Sequence, residues 1–417
     1  MANNLITSQI IVNKALKWLV NNSAFVGAVN TDYTDEFARS GAKAGSTINV
    51  RKPVRATVRS GATANIQDIN EPKVPVTIEP EFGIDWNFTD FDLTLSVDDF
   101  ERRYLMPFGS QLAAELDLRI GQRFYRGVAN HFGTPGTGPS SAQNVLDAAV
   151  LLDNNSCPRD GKMRQISLNP VANSKLVGGM SGFFNDPTTI SKQFKTGLMS
   201  SSTLGMDFQM SQNLPTHVAG TQGGTPLVNG ANQGIINSGS TDNPYADTTS
   251  LVTDGWTAAA AQRLNVGDVF TIAGVFAVNP VTKQSTNQLQ QFVVTANASS
   301  DGSGNLTAII SPAIIAGGAY QNVTARPADN AAITVVSGTS GALVPQNILF
   351  HPDAFTLVTV PMDLPKGMDM VAQATYEGVT LRFVRGFDIT NNRRICRFDL
   401  LAGYGLLRPE WAVRVPS

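Results

Sequence analysis

Hydrophobic residues along this chain recur with different periods in different stretches, and each change of period marks an element. Near the start, Leu5, Val12, Leu16 and Leu19 fall close to helical spacing, with Lys14 and Lys17 among them. That pattern predicts an amphipathic helix, either docked on its own domain or lying as an arm on a neighbouring subunit. Further on, Val74, Val76 and Ile78 alternate with polar or small residues, and Phe82, Ile84, Trp86 and Phe88 keep the same even parity. Period two over fifteen residues predicts a strand, which Pro75 and Pro80 assign to an edge or a bulge. A facing strand is expected over 47–58 with a tip over 60–70, so that 46–90 forms one long two-stranded hairpin.

The period then becomes four. Phe108, Leu112, Leu116, Ile120, Phe124 and Val128 line one face of a helix. Pro107 and Gly109 interrupt its early part, which predicts a short helix near 97–105, started by Ser96 and Asp99, and a long one near 108–131. A glycine-rich stretch follows from Gly133. Residues 142–219 read as α/β: strands near 165–168 and 206–210, a helix from Val171 and another over 188–198. Short β-rich runs at 269–272, 276–278, 292–295, 306–310 and 333–336 are separated by Gly, Asn and Ser clusters, which predicts a small barrel or sandwich. The α/β character resumes at 347–355, with strands near 378–387, 393–401 and 411–415.

Composition sharpens that division. Only 15% of the 417 residues are charged and the net charge is −2, against 42% hydrophobic residues. A typical soluble domain has about 25% charged residues. This is a large folded chain, neither a disordered acidic one nor a basic nucleic-acid binder. Residues 220–345 hold Arg263, Lys283 and Arg326 with six Asp and no Glu, so 7% of that segment is charged, against 19% elsewhere. The segment is therefore read as an inserted domain. The hairpin carries the opposite feature, sorted charge. Arg51, Lys52, Arg55 and Arg59 stand on one side without an acid. Asp68, Glu71, Glu79, Glu81, Asp85, Asp90 and Asp92 stand on the other against Lys73 alone. Strands of opposite sign can pair with each other or with neighbours in an assembly.

Chemistry finds little material. No phosphate loop or dinucleotide fingerprint has the required spacing, and no Ser nucleophile elbow occurs. His131, His217 and His351 are far apart in sequence, without metal-ligand spacing, and His351 before Pro352-Asp353 reads as a capping or packing residue. Arg119, Arg123 and Arg126 share a helix with Glu115 and Asp117, a solvated or intersubunit face with at most a few nucleic-acid contacts. Cys157 and Cys396 read as buried free thiols of a reducing compartment, and no secretory signal or membrane span is evident. No catalytic, cofactor or metal site is expected.

The order of elements, together with several local runs, carries a resemblance. The runs are Thr7-Ser-Gln-Ile10, Glu101-Arg-Arg-Tyr-Leu105, Gly205-Met-Asp-Phe-Gln-Met210, Gly267-Asp-Val-Phe-Thr-Ile-Ala-Gly-Val275, Ser311-Pro-Ala-Ile314 and Phe350-His-Pro-Asp-Ala-Phe355. The chain resembles the major capsid (coat) proteins of short-tailed double-stranded-DNA bacteriophages of the P-twenty-two type. The resemblance implies an α+β fold of the HK-ninety-seven kind with an inserted all-β barrel. It assigns 1–45 to an N-terminal arm, 46–90 to the extended E-loop and 91–141 to a peripheral domain with the spine helix. It assigns 142–219 and 346–385 to the axial domain, 220–345 to the insertion and 386–417 to C-terminal strands of the peripheral domain.

By the same resemblance, Arg51, Lys52, Arg55, Arg59, Asp68, Glu71, Glu79 and Glu81 make intersubunit contacts, and Pro107, Gly109 and Gly121 form a spine hinge. Asp242, Asp247 and Asp254 sit in an insertion-domain loop that crosses twofold contacts. The implied function is a shell of hexamers and pentamers, built in the host cytoplasm with a scaffolding protein and a portal protein. It would enclose double-stranded DNA through weak non-specific contacts, form part of the virion and expand on maturation. No cofactor, enzymatic activity or membrane association is implied. The alternatives are a cellular nanocompartment (encapsulin-like) shell and, more remotely, a surface-cleft hydrolase.

Overall fold

In the computed structural model, which describes residues 8–33, 45–64, 66, 71–88, 101–180, 204–235, 245–389 and 393–417, the predicted periods are recognisable but several partners are not those expected. In chain order the elements are α1 (Ser8–Asn22), β1 (Thr47–Arg51), β2 (Lys73–Thr77), β3 (Phe82–Phe88) and a π-helical turn at Glu101–Leu105 running into α2 (Met106–Gly127). Then come α3 (Ala142–Asn154), β4 (Arg164–Leu168), α4 (Pro170–Met180), β5 (Met206–Met210) and β6 (Thr216–Val218). The next group is β7 (Gly224–Val228), β8 (Thr249–Trp256), β9 (Gln262–Leu264), β10 (Val269–Val278), β11 (Ser285–Val294), β12 (Ala298–Ser299), β13 (Leu306–Ser311) and β14 (Ile333–Val335). The chain closes with β15 (Leu343–Phe350), β16 (Phe355–Thr359), β17 (Met370–Tyr376), β18 (Val379–Asp388), β19 (Arg393–Leu400), β20 (Ala402–Leu406) and β21 (Ala412–Pro416). They form two units, one of Met1–Val50, Val74–Gly121 and Phe355–Leu407, the other of Arg51–Lys73, Gln122–Ala354 and Arg408–Ser417.

In the first unit, α1 buries Ile11, Val12, Ala15, Leu16, Leu19 and Val20 and packs on β17 and β18. Residues 8–22 are thus docked on their own chain. Asp117 of α2 accepts hydrogen bonds from Ser23 Oγ (2.5 Å) and from the backbone N–H of Ala24 (2.9 Å), closing the C-terminal end of α1. A four-stranded sheet runs β17-β18-β19-β3, and Trp86 on β3 stacks within 4.9 Å of both Phe398 and Phe108.

The single hairpin over 46–90 is corrected here. Among the described residues β1 pairs with β2 alone, while β3 leaves it and pairs with β19, Phe82 opposite Leu400 and Phe88 opposite Arg394. Pro80 has no N–H to continue a ladder, and the N–H of Glu79 is taken by Ala402 O at 2.9 Å, so the chain changes partner between the two strands. The predicted helix break is corrected as well. Pro107 is the second residue of α2, where its missing N–H costs nothing, and the helix runs on without interruption to Gly127, not to 131. The start near Ser96 and Asp99 and the helix over 188–198 lie outside the described residues.

In the second unit, a five-stranded sheet has the order β21-β15-β4-β5, with β6 also on β15. Its apolar face, including Ile166, Leu168, Leu349, Val413 and Val415, packs on Val145, Ala148, Leu152, Ala172 and Leu176 of α3 and α4. β21 joins this sheet by pairing with Gln346–Phe350 of β15, from Gln346 opposite Pro416 to Phe350 opposite Ala412, while Leu343–Pro345 pair with β6. β16, β17 and β18 belong to the first unit.

The inserted segment forms a six-stranded antiparallel sheet ordered β14-β10-β11-β13-β8-β7. Its two edges meet. A bridge joins Leu227 to Ala332, Val228 N–H donates to Ala331 O (3.0 Å) and Asn330 N–H to Val228 O (2.9 Å), which closes the barrel. Phe270, Ile272, Phe292, Leu251, Leu306 and Ile310 fill its core. At Gly255 a Cβ would lie 2.4 Å from Thr225 O across the β7–β8 bulge, so only glycine fits that close approach.

Candidate functional site

The residues with most to do beyond folding lie at the root of the excursion between β1 and β2. Arg51 and Glu71 pair across it at 3.0 Å, both largely exposed. Lys52 N–H donates to Pro72 O at 2.8 Å and ends the regular pairing. The next side chains turn onto the barrel. Lys52 Nζ donates to Tyr245 Oη (2.8 Å) and Asp247 Oδ1 (3.2 Å) and lies 5.4 Å from the Tyr245 ring centroid. Tyr245 Oη also donates to Asp247. Burial, and then the Asp247 carboxylate, push the Tyr245 phenol well above its ordinary range, so it stays a neutral donor. Arg55 N–H donates to Tyr320 Oη (3.4 Å), and its guanidinium lies 3.7 Å from Glu410. Tyr320 is buried and meets Tyr245 edge to face at 5.2 Å. A cleft of about 180 Å³ lies under these groups, lined by Lys52, Arg55, Tyr245, Tyr320, Arg408 and Glu410 among others.

Among the described residues, Arg51 and Glu71 pair within the hairpin. Glu81, beyond the strand change, sits 3.8 Å from Arg382 and 3.6 Å from Arg397 on the other strands of its sheet. Glu79 precedes Pro80 at the turn, where its N–H is bonded to Ala402. Arg59 is exposed near the tip and donates to Thr63 O (3.3 Å). Asp247, in the segment before β8, lies 3.2 Å from its own Lys52, and Asp254 lies on β8 opposite Leu227. Asp68 and Asp242 are outside the described residues. Gly109 is a close contact: a Cβ there would lie 2.9 Å from Trp18 Cβ and 3.1 Å from Ala15 O. Gly121 is buried inside α2, at the residue after which the chain passes into the second unit.

A second constellation, in the core of the second unit, was not legible in the sequence. Arg414 is fully buried and donates from Nη1 to Tyr125 O (3.1 Å) and Gly267 O (2.8 Å), tying α2, the barrel base and β21 together. Burial lowers its pKa to about 10. Burial first, and then Arg414 and His217, lower the pKa of His131 to about 3. Asp268 is wholly buried and accepts from His217 Nε2 (2.8 Å), Ser337 Oγ (2.9 Å), Gly220 N–H (3.0 Å) and Asn265 N–H (2.7 Å). Ser, His and Asp are thus together, but the carboxylate sits between the other two. A hydrolase needs the imidazole on the serine. This cluster is structural.

The third histidine lies beside Asp160 and Asp353, a possible metal triad by proximity. Its Nδ1 accepts the N–H of Asp353 (3.3 Å), which leaves the proton on Nε2, 3.3 Å from Asp160 Oδ1. Lys162 Nζ covers Asp353 at 2.9 Å. With both ring nitrogens engaged and a cation on one carboxylate, the set suits packing and not a metal.

Comparison with known proteins adds an independent line. The family model described as "P22 coat protein - gene protein 5" matches residues 1–415. A major capsid protein from Acyrthosiphon pisum secondary endosymbiont phage 1 is 22% identical over 425 residues, covering 98% of each chain. Among solved structures, the CUS-3 coat protein I-domain is 32% identical over 28% of this chain and 97% of its own, with a TM-score of 0.20. A Mycobacterium phage Che8 structure is 14% identical over 94% of this chain and 90% of its own, with a TM-score of 0.45.

Proposed function

This chain belongs to the P22 coat-protein family, and from that membership we propose how it builds a phage head. It is a major capsid protein. Its copies assemble as hexamers and pentamers with a scaffolding protein and a portal in the host cytoplasm. The shell takes in double-stranded DNA by weak non-specific contact and then expands, with α2 bending near Gly121.

The observation that carries the reading is the excursion itself. Its paired strands stop at Arg51 and Lys73, and its far part holds Val58 at 99% exposure and Ile66 at 80%. An extended segment with bare apolar residues has nothing of its own to bury them, so a second copy supplies the surface. Burying one such side chain contributes about 1.5–3 kcal/mol. That is weak for one contact and decisive when repeated around a closed shell.

The test is the size of the expressed protein with scaffold present, and the same measurement for Val58→Asp. The parent is expected as megadalton particles and the variant as a folded monomer. A parent that stays monomeric with its scaffold, or a variant that assembles normally, would overturn this reading.

A further inference from the structure

We propose that Tyr245, Asp247 and Tyr320 of the barrel, with Glu410, form an intrachain latch that holds the basic root of the excursion and presets the direction in which it leaves the chain. The inference deepens the reading above and rests on it for its consequence in assembly, though not for the latch itself. Its logic is in the bonding. Lys52 spends its ammonium on Tyr245 and Asp247, and its side chain is 16% exposed. Arg55 is held twice, at its backbone by Tyr320 and at its guanidinium by Glu410.

The barrel side is braced before the root arrives. Tyr245 and Tyr320 pack edge to face. Lys283, whose pKa burial and then Arg55 lower to about 8, donates to Ala319 O (2.6 Å) beside Tyr320. Two cations that look free to greet a neighbour are therefore already engaged, whereas Val58, three residues past Arg55, is bare. The arrangement separates a clamped root from a free tip. Ordering the root within one chain removes that entropy cost from each assembly step, which is how preorganisation raises the rate and affinity of association. The low-charge barrel then has a purpose for Asp247, one of its few charged side chains, and for Tyr245 beside it.

Limited trypsin cleavage of the unassembled full chain tests the latch without reference to shells. Arg59, at the exposed end, serves as the internal reference, and cleavage after Arg55 reports release. Asp247→Lys is expected to raise the Arg55 to Arg59 cleavage ratio about fivefold, the order expected for losing one partly exposed, charge-assisted contact. Lys52→Asp combined with Asp247→Lys is expected to bring the ratio back towards the parent value. Far-ultraviolet circular dichroism confirms that each variant is folded. An unchanged ratio in folded Asp247→Lys, or no recovery in the swapped pair, overturns the latch. The same three proteins with scaffold then test its consequence. The single variant should assemble several-fold more slowly and the swapped pair at the parent rate. If the parent forms no shells, the function reading fails while the cleavage result stands by itself.

Discussion

Lowering the pH to 5 should cost the second unit about 2 kcal/mol of stability through one side chain, His131. In the folded chain its pKa is lowered to about 3 from 6.5, because burial disfavours the charge and Arg414 and His217 add to the penalty. Between those two values the unfolded chain binds a proton that the folded chain refuses, so stability falls as pH falls. Each pH unit below 6.5 costs about 1.4 kcal/mol. The loss at pH 5 is then about 2 kcal/mol, and it stops growing near pH 3, where the folded form also takes the proton. Against total stabilities of about 5–15 kcal/mol that is a large fraction. Urea unfolding of the unassembled chain, followed by fluorescence at pH 7 and pH 5, measures it. The control is His131→Phe, which keeps a ring where Nε2 has no partner but takes no proton. Other groups titrate equally in both proteins, so the difference between their pH responses isolates His131. Equal losses in parent and variant would refute the reasoning.

Two further outcomes follow from packing. Gly109→Ala would ordinarily strengthen a helix by up to about 1 kcal/mol. Here the new Cβ meets Trp18 Cβ and the rigid Ala15 carbonyl, so thermal unfolding should show a loss of about 1–3 kcal/mol; a gain would show that α1 does not pack closely on α2. A fragment of residues 220–345, whose edges close through Leu227 and Ala332, should fold alone with a β-type circular dichroism spectrum. A disordered fragment would refute the domain boundary.

What could be read from sequence alone was what depends on neighbours along the chain. The fourfold repeat from Phe108 gave α2 because its stripe is long and both ends are local. The inserted barrel was legible because short alternating runs, turn residues and a charge-poor composition coincide. Partners were not legible. Val74 to Phe88 keep one parity throughout, so nothing in the period marks the point where β3 leaves β2 for β19, some three hundred residues away. Pro80 was visible, but read as an edge or a bulge and not as a change of sheet. Arg414 stands between Val413 and Val415 as an outward strand residue would. Only the fold shows that its side of β21 is also covered, so that burial and not solvent sets its chemistry. Likewise, the sequence does not say that Trp18 lies against Gly109.

The barrel's low charge takes on a physical meaning once its interior is known. Of its few charged residues, Arg263 and Asp268 are buried. Arg263 donates to Ser300 Oγ (3.0 Å), Gln222 O (3.1 Å) and Thr257 O (2.9 Å), fastening the loops at one mouth, while Asp268 gathers the donors at the base. Asp247 is committed to Lys52. The outer surface is left with still less charge than the composition suggests. A domain that poor in surface charge would be prone to edge-to-edge association if it kept an open sheet, since charges are one of the usual defences of an edge strand. Closing the ring between Leu227 and Ala332 removes that edge through backbone bonds instead. The closed ring therefore leaves no open strand edge between β7 and β14, without relying on charge to protect one.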